Sequence, residues 1–179
     1  MLARKKYLYL FVIVIFTISI FMVPFKKSIV CKKMHSKEIL AFMPVQKEQT
    51  FQIQYTHSIH LSEVKESYKI LKNNDIRQYE LMYDDTSIGM PSEAEEGEVF
   101  IQKNGHYYIK NMKRDFRKFN LSTGQVVANH RLIYKNKIYP FKNFIKPGTI
   151  ITIEVKKLSL LQLLKGVNIV GKGTTTDDF

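Results

Sequence analysis

The sequence has one cysteine, no tryptophan, five prolines and eight glycines in 179 residues. A lone cysteine, Cys31, excludes an intramolecular disulfide framework and a cysteine-rich zinc site, so an apolar core must stabilise the folded part. Apolar residues make up 45% of the chain, which excludes a disordered or collagenous protein. Ser28-Ile29-Val30 precedes Cys31 where a lipoprotein would have a small residue, which argues against lipidation.

Charge is missing from one long stretch near the start. Tyr7 to Phe25 is a run of nineteen residues without a charged side chain. Such a run can cross about 30 Å of hydrocarbon as a helix. A cleavable signal peptide has ~7 to 15 apolar residues followed by a small-x-small cleavage site, and no such site follows Met22. We therefore predict an uncleaved signal anchor over residues 1–33, with a cleaved signal peptide as the second interpretation and a buried helix of a soluble protein as the third.

Positive charge is concentrated beside this run. The formal net charge is +12, but residues 1–33 hold seven basic side chains and no acid, which leaves 21 basic and 16 acidic residues elsewhere. Lysines that flank an apolar helix lie among anionic head groups, and a nucleic-acid binder needs its excess charge on the folded face. The cytoplasmic membrane is therefore the predicted partner and nucleic acid is not. Because basic residues flank both ends of the run, charge alone does not predict its orientation.

Beyond Met34 the apolar residues recur with period two, which is typical of half-buried strands. We predict an all-β, compact antiparallel sandwich or barrel over residues 34–166, a short helix over Leu158 to Lys165 ended by Gly166, and a flexible tail over 167–179. Asn104-Gly105 predicts a type I′ hairpin turn, because both residues accept positive φ. The predicted strands are 51–62, 64–70, 76–83, 98–102, 106–112, 126–134, 137–141 and 149–155.

Two adjacent strands suggest a polar pair on the inward face. A hairpin that bends at Leu61-Ser62 places every inward apolar residue opposite another and His57 opposite Glu66. The predicted cross-strand pairs are Ile59 with Val64, His57 with Glu66, Tyr55 with Tyr68, and Ile53 with Ile70. A buried carboxylate is costly alone, and a facing imidazole can donate a hydrogen bond to it. A structural pair that fixes the strand register is favoured over a catalytic pair.

Other candidate constellations have simpler explanations. His57 and His60 point to opposite faces of a strand, so no metal site is predicted, and Ser58 lacks the glycines of a nucleophile elbow. No phosphate loop or dinucleotide fingerprint is present, so no cofactor is predicted. Acidic residues between 84 and 98 could hold Ca²⁺, although a solvated loop is favoured. Basic residues between 110 and 118 indicate an exposed strand edge rather than a site for single-stranded nucleic acid.

Three motifs resemble a known bacterial family. Tyr55-Thr56-His57-Ser58, then Val64-Lys65-Glu66-Ser67-Tyr68, then Gly89-Met90-Pro91 resemble the domain of unknown function 1850 over about Phe51 to Tyr134. Ser87 departs from the family pattern, which has a glycine there. The resemblance implies a small protein with an amino-terminal hydrophobic segment and an extracytoplasmic carboxyl-terminal domain. It also implies association with TAXI-type TRAP transporters of organic acids, through the solute receptor or the permease, and it implies no reaction.

These observations predict a single-pass membrane protein with an extracytoplasmic accessory or binding module. On the resemblance, the residues to test are His57, Ser58, Glu66, Gly89 and Pro91. One alternative is an envelope-associated hydrolase with His57 as base and Glu66 orienting it. Another is a purely structural envelope protein, and catalysis is the less favoured class.

Overall fold

The structure is a computed structural model that describes residues 2–46, 49–59, 61–85, 90–125 and 127–172 of the chain. In this part, an apolar helix precedes strands that alternate with short turns, and a six-residue helix follows near the end. The helices are α1 (Leu2–Met22) and α2 (Leu160–Lys165). The strands are β1 (Lys26–Lys33), β2 (Ile39–Pro44), β3 (Thr50–Thr56), β4 (Glu63–Ile70), β5 (Ile76–Tyr83), β6 (Val99–Lys103), β7 (His106–Phe116), β8 (Lys118–Ser122), β9 (Arg131–Tyr134), β10 (Lys137–Pro140), β11 (Ile150–Leu158) and β12 (Val167–Asn168).

The strands form two packed sheets. The five-stranded sheet has the order β12-β2-β1-β11-β8, and the seven-stranded sheet has the order β10-β9-β3-β4-β5-β7-β6. All neighbours are antiparallel except β12 and β2. Both residues of the predicted Asn104-Gly105 turn have positive φ, at 54° and 79°. The all-β sandwich predicted from the period-two pattern is confirmed.

The core lies between the inner faces of the two sheets. The five-stranded sheet contributes Ile29, Met43 and Ile153, and the seven-stranded sheet contributes Phe51 and Ile53, all of them buried. A second cluster on the seven-stranded sheet contains Val64, Leu81, Tyr83, Ile109 and Met112. Successive side chains on a strand point to opposite faces, so the alternation in the sequence places these residues on one inner surface.

Residues 26–33, which the sequence places with the membrane segment, form the central strand of the five-stranded sheet. β1 pairs with β2 on one side and with β11 on the other. Ile29 and Val30 are both fully buried because α2 covers the outer face of this sheet as well. Cys31 is likewise buried, so a lipid-transfer enzyme could not reach its sulfur in the folded domain. The β domain in the structure therefore begins at Lys26.

The register predicted for the first hairpin is wrong. In the structure Glu66 lies opposite Ile53, Tyr55 lies opposite Val64, and the strands end at Thr56 and Glu63. The connection is a six-residue turn closed by hydrogen bonds from His57 N to Ser62 O (2.8 Å) and from Leu61 N to His57 O (3.0 Å), with Leu61 at φ 54°. The longer turn shifts the pairing by four residues, so His57 does not face Glu66.

α1 is the one helix in the described part of the chain that is long and apolar enough to cross a membrane, over Lys5–Met22. This segment of α1 is not buried against the domain. A membrane anchor and a signal sequence both have these properties. Three residues separate α1 from β1, and Phe25 N donates to Leu158 O at 3.1 Å. The start of the domain is therefore joined directly to the end of α1.

Candidate functional site

Two of the residues singled out in the sequence lie in the turn at one end of the seven-stranded sheet. His57 is half-buried and Ser58 is exposed in the turn between β3 and β4. β5 stops at the same end of the sheet, because its last residue, Tyr83, pairs with Val64 near the start of β4. The loop that follows β5 therefore begins beside this turn.

A network of polar side chains connects β3, β4 and β7 at this end of the sheet. The side chain of Gln54 donates to the carboxylate of Glu63, and the backbone N–H of Glu63 donates to Asp84 Oδ2 at 3.0 Å. The other oxygen of Asp84 contacts Nδ1 of His106 at the start of β7. An Asp–His pair of this kind can orient an imidazole. The sequence motifs did not indicate it, because the pair depends on β5 lying beside β7, with a loop and β6 between them in the chain.

Glu66 lies on the inner face of β4 between two apolar neighbours. Ile53 of β3 and Leu81 of β5 flank it across the ladder. The hydroxyl of Tyr68 donates to Glu66 Oε2 at 2.7 Å, since residues two apart on a strand share a face. Burial raises the pKa of Glu66, and the hydrogen bond from Tyr68 opposes that rise. The third and fifth residues of the Val-x-Glu-x-aromatic motif thus form one hydrogen-bonded pair.

The two tyrosines whose pKa values the charge of Glu66 helps to raise, Tyr55 and Tyr68, each stack on other rings. Tyr68 stacks between Phe51 and Phe119, with ring centroids 5.2 and 5.1 Å away. Tyr55 stacks on His130 at 4.9 Å, and burial together with the charge of Glu66 raises the pKa of Tyr55 to about 12. Burial lowers the pKa of His130, although a backbone hydrogen bond at Thr123 opposes this. The arrangement keeps the tyrosines neutral and suits a carboxyl group held inside the core.

The glycine–proline loop is described only in part. Gly89 lies outside the described residues, as do Ser87 and His60. Pro91 is half-buried, and its carbonyl accepts a hydrogen bond from the hydroxyl of Tyr83. Met90 packs on the cluster that contains Val64 and Ile109. Met90 and Pro91 therefore attach this part of the loop to the seven-stranded sheet.

Basic side chains of β7 form ion pairs with acidic side chains of β5 and of the loop before β6. Arg114 contacts Glu95 at 2.8 Å and Glu98 at 3.3 Å, and Lys110 contacts Glu80 at 3.1 Å. Among the described residues, no group of three or more His, Cys, Asp or Glu side chains could hold a metal ion. In the structure these segments form ion pairs along β7 and the loop before β6.

The seven-stranded sheet carries a cleft that the sequence motifs did not indicate. The pairing of β5 with β7 is irregular at Tyr79. Gln78 pairs with Arg114 and Glu80 pairs with Lys110, so Tyr79 alone lies opposite the three residues 111–113 of β7. Bulges redirect side chains and bend a strand, and they are frequent beside binding sites. The resulting cleft has a volume of about 630 Å³. It is lined by Thr50, Lys69, Arg77, Tyr79, Gly97, Asn111, Met112 and Lys113.

Positive charge dominates this Tyr79 cleft. Arg77 is held by two hydrogen bonds to Asp115, at 2.6 and 2.7 Å. Lys69 and Lys113 are exposed and form no ion pair with the residues that the structure describes. Tyr79 supplies apolar surface, whereas Met112 is only 1% exposed. The cleft thus combines two available ammonium groups with a surface that suits carbon atoms.

The family comparison agrees with the motifs. The model of a domain of unknown function, DUF1850, matches residues 51–141, just over half of the chain. The chain belongs to the DUF1850 family. No curated protein and no solved structure matches it.

The DUF1850 match coincides with one layer of the sandwich. Residues 51–141 contain the whole seven-stranded sheet apart from Thr50, and they also contain β8. The other strands of the five-stranded sheet lie outside the match. His57, Ser58, Glu66, Pro91 and the Tyr79 cleft, except for Thr50, all lie inside it. Candidate sites shared with the family therefore belong to the seven-stranded sheet.

Proposed function

We propose that this DUF1850 protein is a membrane-anchored, extracytoplasmic binding module that takes a small organic anion in the Tyr79 cleft. The observation that carries the proposal is the cleft itself, with a volume of about 630 Å³ and two lysines available. Small-molecule sites commonly have volumes of about 300 to 1,000 Å³, with mostly apolar walls and a few placed polar groups. The hydrolase alternative depended on His57 facing Glu66, so we do not carry it forward.

The chemistry of the lining favours a carboxylate with a short carbon skeleton. Lys69 and Lys113 are on different strands, so a ligand between them could use both charges. Arg77 is occupied by Asp115 and supports the wall of the cleft. Carboxylates close to Lys113 include Glu95, Glu96 and Glu98, and Arg114 forms ion pairs with Glu95 and Glu98. The residues that line the cleft itself include three basic side chains and no acidic one, so a bound carboxylate would contact positive charge.

We expect the full chain in detergent to bind small carboxylates but not their neutral amides. Succinate, glutamate and benzoate should each give a binding isotherm by calorimetry, and succinamide and benzamide should not. Lys69→Met and Lys113→Met should each weaken binding about tenfold, because a hydrogen bond to a charged group contributes about 1.5 to 3 kcal/mol. Lys103→Met, at the exposed end of β6, is the matched control. Equal binding of acids and amides, or no binding of any acid, would contradict the proposal.

The family resemblance supports a role beside a TAXI-type TRAP transporter. Such transporters take up organic acids, and an anion-binding module on the outer face of the membrane could contact the solute receptor or the permease. We expect the tagged full chain to co-purify with one of these two proteins after mild detergent extraction. Deletion of the gene should reduce organic-acid uptake, and the Lys69→Met/Lys113→Met chain should fail to restore it. Normal uptake after deletion would argue against the link.

The orientation can be tested with thiol labelling. Burial raises the pKa of the Cys31 thiol to about 12, so the native chain should not react with a maleimide. We expect Lys103→Cys to be labelled in intact cells by a membrane-impermeant maleimide. Labelling only after lysis would place the domain in the cytoplasm and would contradict the proposed topology.

A further inference from the structure

α2 is well formed although none of its side chains is fully buried. Ser159 caps it with a capping box, in which Gln162 N donates to Ser159 Oγ and Ser159 N donates to Gln162 Oε1. Gly166 ends it where a side chain would come within 2.8 Å of Ile39. Leu163 packs on the outer face of the five-stranded sheet. One side of α2 therefore covers the sheet, and the other side has no cover in the described structure.

The uncovered side is apolar. Leu161 is 42% exposed and Leu164 is 72% exposed. Full burial of a leucine side chain stabilises a protein by about 1.5 to 3 kcal/mol relative to exposure. Both leucines would therefore gain from being covered. Val23 and Phe25, between α1 and β1, are also exposed, at 58% each. The exposed apolar side chains of α2 thus lie at the end of the domain that continues into α1.

The position of α2 relative to α1 decides what can cover it. β11 ends at Leu158, which pairs with Lys26 at the start of β1, and α2 follows at once. α2 also lies in contact with α1. If α1 crosses a bilayer, the end of the helix at Met22 reaches the head groups, so α2 lies at the same depth.

Charge at this end of the domain complements a lipid surface. Lys26, Lys157 and Lys165 are all exposed. Lysines can place their ammonium groups among phosphates while their carbon stems follow apolar surface, and each contributes about 1 kcal/mol near an anionic leaflet. Leucines flanked by lysines are typical of helices that lie in a membrane interface.

We propose that α2 is an interfacial helix, with Leu161 and Leu164 inserted into the same membrane that α1 spans. This inference rests on the proposed anchoring of the chain. The helix holds the sandwich at a fixed orientation on the bilayer, because the domain is then attached at α1 and at α2. The occupant of the exposed face is lipid and not a second protein.

Tryptophan fluorescence gives a direct test, because the chain has no tryptophan of its own. Leu164→Trp and Leu161→Trp should lose most of their fluorescence in vesicles of phosphatidylcholine and phosphatidylglycerol that are brominated near the head groups. Ile150→Trp is the matched control, because Ile150 is 43% exposed at the opposite end of β11. That end is about 26 Å from Leu158 at 3.3 Å per residue, so its fluorescence should not change.

The outcomes separate this inference from the proposed anchor. Resistance of the full chain to carbonate extraction from the vesicles reports on α1 alone. A resistant chain whose Leu164→Trp and Leu161→Trp variants are not quenched would overturn the interfacial helix and leave the anchor standing. A chain released by carbonate would overturn the anchor itself. Quenching in vesicles that hold only this protein would also show that no partner protein is needed to cover α2.

Discussion

A chain that begins at Met34 should fail to fold, whereas a chain that begins at Phe25 should fold without the apolar helix. The difference between them is β1, the central strand of the five-stranded sheet. Removing β1 leaves β2 and β11 with unpaired backbone N–H and C=O groups along facing edges. Unpaired backbone groups in a core are costly, and open edges promote aggregation.

The side chains of β1 add to this loss. Ile29, Val30 and Cys31 are all fully buried. Burying an isoleucine or valine stabilises a fold by about 1.5 to 3 kcal/mol, and a typical domain has a total stability of about 5 to 15 kcal/mol. The lost burial of apolar side chains and the lost backbone hydrogen bonds together therefore amount to about the total free energy of unfolding of the domain.

Circular dichroism and urea unfolding would measure the effect. The chain from Phe25 should show a β spectrum and one cooperative transition, and the chain from Met34 should show no cooperative transition or should precipitate. A Leu2-to-Val23 deletion that keeps Met1 is a second control, because it retains β1 in an otherwise native chain. A cooperative transition in the chain from Met34 would mean that β1 is dispensable, contrary to its central position.

The inner face of the sandwich was predictable because its strands alternate. Ile76 to Tyr83 was predicted with the bounds that β5 has in the structure. Phe51, Ile53, Glu66 and Tyr68 do share the inner face, as the period of two requires. A shift of four residues in register preserves the face of every side chain. The predicted face of Glu66 was therefore confirmed although its predicted partner was wrong.

β1 was not predicted because it is covered on both faces. Its buried run is only four residues, Ser28 to Cys31, and it lies between lysines next to a much longer apolar helix. A strand buried on both sides loses the alternation that identifies a half-buried strand. Its partner β11 is also far away in the chain, so no hairpin signal joins the two.

The candidate site was only partly predictable for a different reason. The sequence indicated Glu66, but it predicted His57 as the partner of Glu66 and did not predict the hydrogen bond from Tyr68. The Tyr79 cleft depends on a bulge between β5 and β7, and the Asp84–His106 pair depends on the same pairing of distant segments. A bulge leaves no mark in the apolar pattern of one strand, so the sequence alone indicated neither feature.

Replacing Glu66 by glutamine should stabilise the domain at neutral pH and have little effect in acid. Burial raises the pKa of Glu66 in the folded state above the ordinary value of 4.5. As the pH rises past 4.5, the unfolded chain releases this proton before the folded chain does. The folded state then binds more protons than the unfolded state, so stability falls with rising pH across that window. Stability from the protonated form is fully present below pH 4.5 and is lost by the time the pH passes the raised pKa.

Glutamine at this position does not titrate, and its side-chain oxygen can still accept the hydrogen bond of Tyr68. We expect Glu66→Gln to match the parent near pH 4 and to exceed it by about 1 to 2 kcal/mol at pH 7 to 8, within the usual range for one side chain. Thermal unfolding of the chain from Phe25 across this pH range is the measurement. Glu93→Gln, an exposed carboxylate in the loop before β6, is the control and should leave the pH profile unchanged.

Tyr68→Phe tests the same pair from its other partner. It removes the donor to Glu66, and loss of a hydrogen bond to a charged group costs about 1.5 to 3 kcal/mol. The cost should be greatest above the raised pKa, where the carboxylate is charged, and smaller in the Glu66→Gln background, because the two side chains are coupled. A Glu66→Gln chain that is less stable than the parent at neutral pH would contradict the sign of this linkage. It would mean that the charged carboxylate stabilises the folded domain, and a structural role for Glu66 would then be favoured over a functional one.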